Sequence, residues 1–295
     1  IDLSKKELNL QLSTLLDHRT LSLRHPKIQA IFRLYDIVLE SYAEAMRKEG
    51  FTEIKTPKIL EASSEGGGNF FKIKYFERDA YLAQSPQFYK QIMMGVFERV
   101  FEIGPVFRAE PHFTTRHVNE YISLDAEMGF IANENDVMAM LTKVIKHIFE
   151  SLGRKGKKYL EMYGVEIPEM PDKIPAYKLS EIKEKIKDEY GYRVPEDTDI
   201  DPEGERLAGR FTKEKHGTDF IFLTHYPRAH RPFYTMPQSK NSEESRGFDL
   251  IFKGVEMVTG SQRIHLYDEL LQNMEWKKVK PKGMEFYLET FKYAM

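Results

Sequence analysis

From Ile28 onward the apolar residues follow a helical rhythm: Ile28, Ile31, Phe32, Tyr35, Val38, Leu39 and Tyr42 take the i, i+3, i+4 and i+7 places of one stripe. Pro26 suits the first turn of that helix and Gly50 its end. Phe51 to Thr56 is then short and extended, closing at Pro57, which has no amide hydrogen for a ladder. Ser85-Pro86 marks a second helix start, serine as cap and proline in the first turn, and puts Gln87 and Lys90 on one face. Residues 99–108 read as a strand with a bend at Gly104-Pro105, and a polar loop from Ala109 to Asn119 follows. In the next strand Ile122, Leu124, Ala126, Met128 and Phe130 alternate with Tyr121, Ser123, Asp125 and Glu127, which predicts an antiparallel hairpin with one apolar and one acidic face. A solvated outer face accounts for those acids as well as a site does. Asn133 caps a further helix with Val137, Leu141, Val144, Ile148 and Leu152 on its buried stripe and Gly153 at its end. The lysine- and glutamate-rich stretch from Arg154 to about Gly217, broken by prolines at 168, 171, 175, 195 and 202, reads as peripheral helices and loops without chemistry. Residues 1–24 show no sustained periodicity and read as a linker or arm.

The most informative pattern lies near the C-terminal end, in the run from Phe248 to Val258. Lys253-Gly254 makes a two-residue hairpin turn that pairs Phe252 with Val255 and Ile251 with Glu256. Asp249 then shares a face with Glu256, one pair along the diagonal. Two carboxylates on one patch repel unless a cation sits between them or one keeps its proton. Oxygen ligands without sulfur or clustered histidine favour magnesium, often arriving with a nucleotide phosphate; two solvated acids on a sheet edge are the plain alternative. Arg263 lies seven residues beyond Glu256, so strict alternation sends it to the opposite face, and a bulge at Gly260 would bring it back. The run Ser63-Ser64-Glu65-Gly66-Gly67-Gly68-Asn69 is either a lid over a site or a surface loop.

Composition narrows the field. With 44 Lys+Arg against 46 Asp+Glu, the net charge of -2 gives no argument for a nucleic-acid partner, and 41% hydrophobic residues exclude a disordered chain. Zero cysteines exclude disulfides, thiolate metal sites and a cysteine nucleophile, and fit a reducing cytoplasm. No apolar run approaches the ~18 residues of a membrane helix. The start at Ile1, with no leader after it, suggests a piece of a longer chain. There is no phosphate loop of the Gly-x-x-x-x-Gly-Lys type, no Gly-x-Gly-x-x-Gly after a strand and no Gly-x-Ser-x-Gly elbow.

Three segments carry a resemblance: Gln84-Ser85-Pro86-Gln87-Phe88-Tyr89-Lys90-Gln91, Phe107-Arg108-Ala109-Glu110 through Thr115-Arg116-His117-Val118-Asn119-Glu120-Tyr121, and Gly260-Ser261-Gln262-Arg263-Ile264-His265. In this order they resemble the catalytic core of class II aspartyl-tRNA synthetases of the archaeal or eukaryotic type, from about Leu15 to Met295. The resemblance implies an α+β fold, an antiparallel sheet flanked by helices, in a cytoplasmic homodimer. It implies that aspartate attacks the α-phosphate of ATP to give aspartyl-adenylate, and that the aspartyl group then passes to the 3' end of the aspartate tRNA, with the asparagine tRNA left open as a second acceptor. The helix from Ile28 and the strand ending at Pro57 resemble the first class motif, which builds the dimer interface. Arg108 would hold the α-phosphate, with Glu110 near the adenine or the tRNA terminus, Arg116 and His117 on the phosphates or the acceptor end, and Phe113 near the adenine. Asp249 and Glu256 match magnesium ligands, with the Thr259 hydroxyl close to the metal. Lys90 and Arg263 match the cations that clamp the aspartate side chain, while Ser85, Gln87 and Asp125 position the amino acid, Asp125 facing its ammonium. Glu65 matches the residue that closes over that ammonium, which turns the glycine run into a lid.

Two parts of the family pattern are not seen. Residues 1–24 look like the linker after an anticodon-reading OB-type barrel, and residues 25–295 like the catalytic domain, with the third class motif, a Gly-x-Gly-x-x-Arg, missing after Met284. Two rival readings are a paralogue that makes asparagine from aspartyl-adenylate and a non-catalytic interaction protein on a decayed core. Decay should erase site residues, yet Glu65, Lys90, Arg108, Asp249, Glu256 and Arg263 all stand.

Overall fold

A computed structural model of the chain describes every residue except 1, 3, 6, 62–69, 111–117, 197–198 and 294–295. The chain divides into two compact units, one formed by residues 1–48 and 143–169, the other by residues 49–142 and 170–295.

In the first unit, two short helices, α1 (Leu12–Asp17) and α2 (Arg19–Ser22), occupy the stretch expected as a linker, ahead of the long α3 (Pro26–Lys48). The helix agrees with the periodicity, but its buried face does not. Ala30, Ile37, Ser41, Tyr42, Ala43, Ala45 and Met46 are inside, while Ile31, Phe32 and Tyr35 are 48%, 43% and 44% exposed. The expected stripe is thus split: Tyr42 is buried and Ile28, Val38 and Leu39 are half-buried, while Ile31, Phe32 and Tyr35 face outward, against what amphipathicity alone predicts for them.

The second unit holds three sheets. β1 (Thr52–Glu53) runs parallel to β5 (Arg99–Phe107), which pairs antiparallel with β6 (Glu120–Met128) from Arg99↔Met128 to Phe107↔Glu120. A small antiparallel sheet is built from β2 (Ile59–Leu60), β3 (Lys72–Tyr75) and β4 (Arg78–Leu82), in the order β2-β4-β3. Between these sheets in sequence comes α4 (Gln87–Phe97), whose N-cap position is Pro86; Ser85 Oγ accepts the Gln87 amide at 3.3 Å, so the cap lies one residue later than expected. α5 (Glu134–Lys155), with Asn133 Oδ1 accepting from the Asn135 amide at its start, precedes α6 (Lys157–Glu161); it belongs to the first unit from Lys143, as α6 does, and ends two residues past Gly153. Met138, Val144, Ile145 and Ile148 are its buried apolar residues.

The third sheet carries most of the core. β7 (Ala176–Lys178) is parallel to β8 (Phe220–Thr224), and β8, β9 (Gly247–Phe252) and β10 (Val255–Ser261) continue antiparallel. The first and third sheets are therefore mixed, each with a parallel edge strand added to an antiparallel body, while the small one is antiparallel throughout. β8, Phe-Ile-Phe-Leu-Thr, is buried at every position, as a strand covered on both faces must be. One face is covered by α7 (Leu179–Tyr190) and α8 (Pro202–His216): Leu179, Ile182, Ile186, Leu207, Ala208 and Phe211 pack with Ile221, Leu223 and Ile251. The segment 154–217 thus supplies an edge strand and two core-forming helices where peripheral ones were expected. α9 (Tyr267–Trp276) and α10 (Glu285–Thr290) form a second core with Phe88, Phe233, Tyr234 and Ile264.

The β9–β10 hairpin follows the expected register, with Val255↔Phe252 and Glu256↔Ile251. Lys253 and Gly254 have φ of 50° and 75°, the left-handed pair that a two-residue turn needs. The bulge is real but misplaced by the sequence reading: the register shifts between Glu256 and Val258, after which Thr259 faces Asp249 and Ser261 faces Gly247. Gly260 has another reason. A Cβ there would lie 2.4 Å from the Phe248 ring, so the glycine admits the cross-strand aromatic.

Candidate active site

The acidic face of β6 is turned inward. Glu127 is buried at 9% exposure, whereas Ile122 on the apolar face is 40% exposed, so the alternation pointed to a site and not to a solvated edge. Opposite this face, α4 presents Gln87 and Lys90, both buried. Lys90 Nζ donates to Asp125 Oδ1 at 3.1 Å and lies 3.6 Å from Glu127 Oε2. Burial works against the charge on Asp125, but the Lys90 ammonium and hydrogen bonds hold its carboxyl below the usual range.

Arg263 enters from the end of β10. The bulge brings Thr259, Ser261 and Arg263 into phase with Glu256, and the backbone pairing of Ile264 N with Tyr234 O and Met236 N with Gln262 O fixes the strand end. Arg263 Nε donates to Glu127 Oε1 at 3.2 Å, Nη2 to Gln87 Oε1 at 2.9 Å, and Nη1 to Ser261 Oγ. Burial opposes this charge too, and Glu127 keeps the guanidinium above its ordinary value. A guanidinium carries five N–H donors. These three bonds leave, among the described residues, one N–H on each terminal nitrogen, a set that suits a carboxylate taken by both oxygens.

A second cluster lies on β9 and β10. Arg231, in the connection between β8 and β9, donates from Nη2 to Asp249 Oδ2 at 2.7 Å and from Nη1 to Thr259 Oγ1 at 2.8 Å. Asp249 Oδ1 is buried and has no hydrogen-bond partner among the described residues. Part of Glu256 stays open to solvent, yet burial, then the Asp249 carboxylate, push its carboxyl up to about 7, against the pull of Arg231 and Arg108. Magnesium takes one or two carboxylates and fills its other positions with water and phosphate oxygens. An orphaned Asp249 oxygen and an over-concentrated negative charge fit such a cation. Among the described residues no group of three or more His, Cys, Asp or Glu comes together, so the rest of its shell would be water and phosphate.

Arg108 follows β5, its backbone amide bonded to Asn119 O and its guanidinium 6.0 Å from the Tyr121 ring centroid. Its Nε is buried without a partner among the described residues, a donor suited to an anion. Glu110 turns back on it, its amide donating to Arg108 O at 2.8 Å. Glu65, Phe113, Arg116 and His117 lie outside the described residues. The structure therefore gathers Ser85, Gln87, Lys90, Asp125 and Arg263 into one cluster and Asp249, Glu256 and Thr259 into another, with Arg108 electrostatically coupled to Glu256. Glu127 and Arg231 were given no role by the sequence reading. Parity along β6 already put Glu127 beside Asp125; for Arg231 the signal is a lone cation before Pro232, Phe233 and Tyr234.

The sequence model of the tRNA synthetases class II (D, K and N) matches residues 11–295. The chain belongs to this family. Within it, the chain is 46% identical over its whole length to an aspartate–tRNA(Asp/Asn) ligase of Deinococcus radiodurans, covering 69% of that relative. It is 44% identical over 97% of its length to an aspartate–tRNA(Asp) ligase of Pyrococcus horikoshii, covering 65%. An aspartyl-tRNA synthetase structure from Entamoeba histolytica superposes with a TM-score of 0.83 at 33% identity, over 97% of this chain and 56% of that one. The class II synthetase chain thus spans about two thirds of these curated relatives and little more than half of that solved protein. Among its described residues no helix is long and apolar enough to cross a membrane.

Proposed function

We propose that this chain is the catalytic part of a cytoplasmic aspartate–tRNA ligase, which activates L-aspartate with ATP and passes it to the 3' end of the aspartate tRNA. The observation that carries the reading is the pair of cations, buried Lys90 and half-buried Arg263, held by Asp125 and Glu127 with two terminal guanidinium donors left over. A substrate side-chain carboxylate would take both donors, while the amide of asparagine, with one oxygen and an NH2 group, would leave one charged N–H facing another donor. Asp125 and Gln87 bound the same space and would orient the amino group. Arg108 would hold the α-phosphate, so that the amino acid's carboxylate oxygen attacks phosphorus in line as pyrophosphate departs. Asp249 and Glu256 would hold magnesium, which, when bound, neutralises phosphate charge. No side chain acts as a nucleophile in this scheme. Glu65, Phe113, Arg116 and His117 keep the roles that the resemblance gives them.

Relatives named for both tRNA(Asp) and tRNA(Asn) support a second acceptor tRNA for this chain. The outward Ile31, Phe32 and Tyr35 stripe on α3 supports a homodimer, and Phe32→Glu should shift sedimentation toward the monomer. The deciding experiment on activity is ATP–pyrophosphate exchange by the complete protein. Aspartate should drive it and asparagine should fail; equal exchange with both amino acids would remove the specificity reading.

A further inference from the structure

Arg231 is held more firmly than a surface arginine would be. After Pro232 the chain is buried, Phe233, Tyr234 and Thr235 being 1%, 3% and 2% exposed, and Asn273 Nδ2 donates to Phe233 O. Its guanidinium carbon lies 3.7 Å from the centroid of the buried Tyr226 ring. Its stem passes over the start of β9 where Gly247 stands; a Cβ there would lie 3.3 Å from Nε and 3.4 Å from Cδ, so a side chain at 247 would crowd it. Thus fixed, the fork spans two strands, bonding Asp249 on β9 and the directly opposed Thr259 on β10.

Only one oxygen of Asp249 is used in this way. The other, Oδ1, is buried and makes no hydrogen bond of good geometry among the described residues; the buried Tyr226 hydroxyl, likewise without one, is the neutral donor close enough to interact with this carboxylate. An aspartate alone has a two-fold choice of which oxygen it presents, and a bond to one of them removes that choice. Outer-shell partners act on metal ligands in this manner. We infer that Arg231 is a positioning residue for the cation site: by engaging Asp249 Oδ2 and the Thr259 hydroxyl, it locks the carboxylate so that Oδ1 is offered to a divalent cation. This rests on reading Asp249 and Glu256 as the magnesium–ATP site. The competing picture gives the same guanidinium the part of a stand-in cation, which the metal must displace. The two pictures predict opposite signs for its removal.

The test is a manganese(II) titration of the complete protein with a non-hydrolysable ATP analogue, read by electron paramagnetic resonance. Asp249→Asn should abolish tight manganese binding. Arg231→Gln, which keeps one donor and loses the fork, should weaken it roughly 10- to 100-fold, the usual size for an outer-shell partner. Arg231→Lys should fall several-fold short of the native protein, because one ammonium cannot serve both oxygens in this geometry; it decides the matter if the glutamine variant does not fold. The double variant Arg231→Gln/Asp249→Asn should bind no worse than Asp249→Asn alone. KM for aspartate should stay put in Arg231→Gln, which separates positioning of the metal ligand from general loosening. Unchanged or tighter manganese binding in Arg231→Gln, with Asp249→Asn still losing the metal, overturns the inference alone. Manganese binding indifferent to Asp249→Asn overturns the carboxylate reading and this inference with it.

Discussion

The two halves of the candidate site are built on opposite electrostatic plans. Around α4 and β6, two cations, Lys90 and Arg263, face two carboxylates, Asp125 and Glu127, and the four are joined within 3.6 Å. On β9 and β10, Asp249 is bonded to Arg231 while Glu256 has only the longer-range pull of Arg231 and Arg108, and burial, with the two carboxylates' mutual repulsion, pushes the Glu256 carboxyl up to about 7. The first cluster is complete in the free protein and needs only to give up or share donors. The second is left short of positive charge. Selectivity demands a rigid, balanced frame, whereas a cation that comes with its nucleotide needs a deficit to enter.

That contrast can be broken experimentally, beginning at the balanced cluster. Arg263→Leu should lower kcat/KM for aspartate in pyrophosphate exchange by about 2 to 5 kcal/mol of activation free energy, because the substrate's side-chain carboxylate loses the guanidinium that would pair with it. Unaltered kinetics there would end the clamp assignment. Glu256→Gln should reduce magnesium-dependent adenylation about 100-fold, equivalent to about 2.7 kcal/mol, while its thermal midpoint stays near the native value because the side chain reaches solvent. A collapse in stability instead would mean that the pair is structural. Asp125→Asn should cost about 1.5 kcal/mol by chemical denaturation near neutral pH, the worth of a hydrogen bond to a charged group. The Asp125 carboxyl lies below its usual value in the folded protein, so its contribution is full above about pH 4 and fades as pH falls through the folded value. Native and variant denaturation curves should therefore converge in acid, and a constant gap would show that no titrating partner was lost. Thr259→Val is the mildest change, with about 1 kcal/mol or less expected from removing one acceptor of Arg231; a larger loss would place the hydroxyl closer to the chemistry.

Much of this arrangement was legible in the sequence where local rules and tertiary needs agree. Lys253-Gly254 forces a tight turn, and the turn alone fixes Glu256 opposite Ile251. Strand parity then set Asp249 beside it. The rule that fails is the assumption that apolar means inside. Ile31, Phe32 and Tyr35 are outward on α3, and Ile122 is outward on β6, while Asp125 and Glu127 go inward. Periodicity finds a face but not its direction, and a site or a partner surface reverses the usual choice. The bulge was inferred because Arg263 had to change face, but its place was assigned to the visible glycine. Gly260 serves the Phe248 ring instead, and the extra residue is accommodated near Met257, where no special side chain marks it. Arg231 was illegible for a different reason: its partners lie 18 and 28 positions away, and only the folded sheet brings them to one guanidinium.

The irregularity near Met257 works as a phase converter. Upstream of it β10 keeps time with the carboxylate hairpin; downstream it keeps time with the clamp, and one additional residue is all that reconciles the two counts. Side chains at 257 are free to vary in size, since Met257 is 40% exposed, but the number of residues is not. Deleting one would leave Glu256 where it is and turn Thr259, Ser261 and Arg263 away from it together. A polypeptide so altered would retain its sheet and its turn and yet carry the proposed nucleotide site on one side of a strand and the proposed amino-acid site on the other.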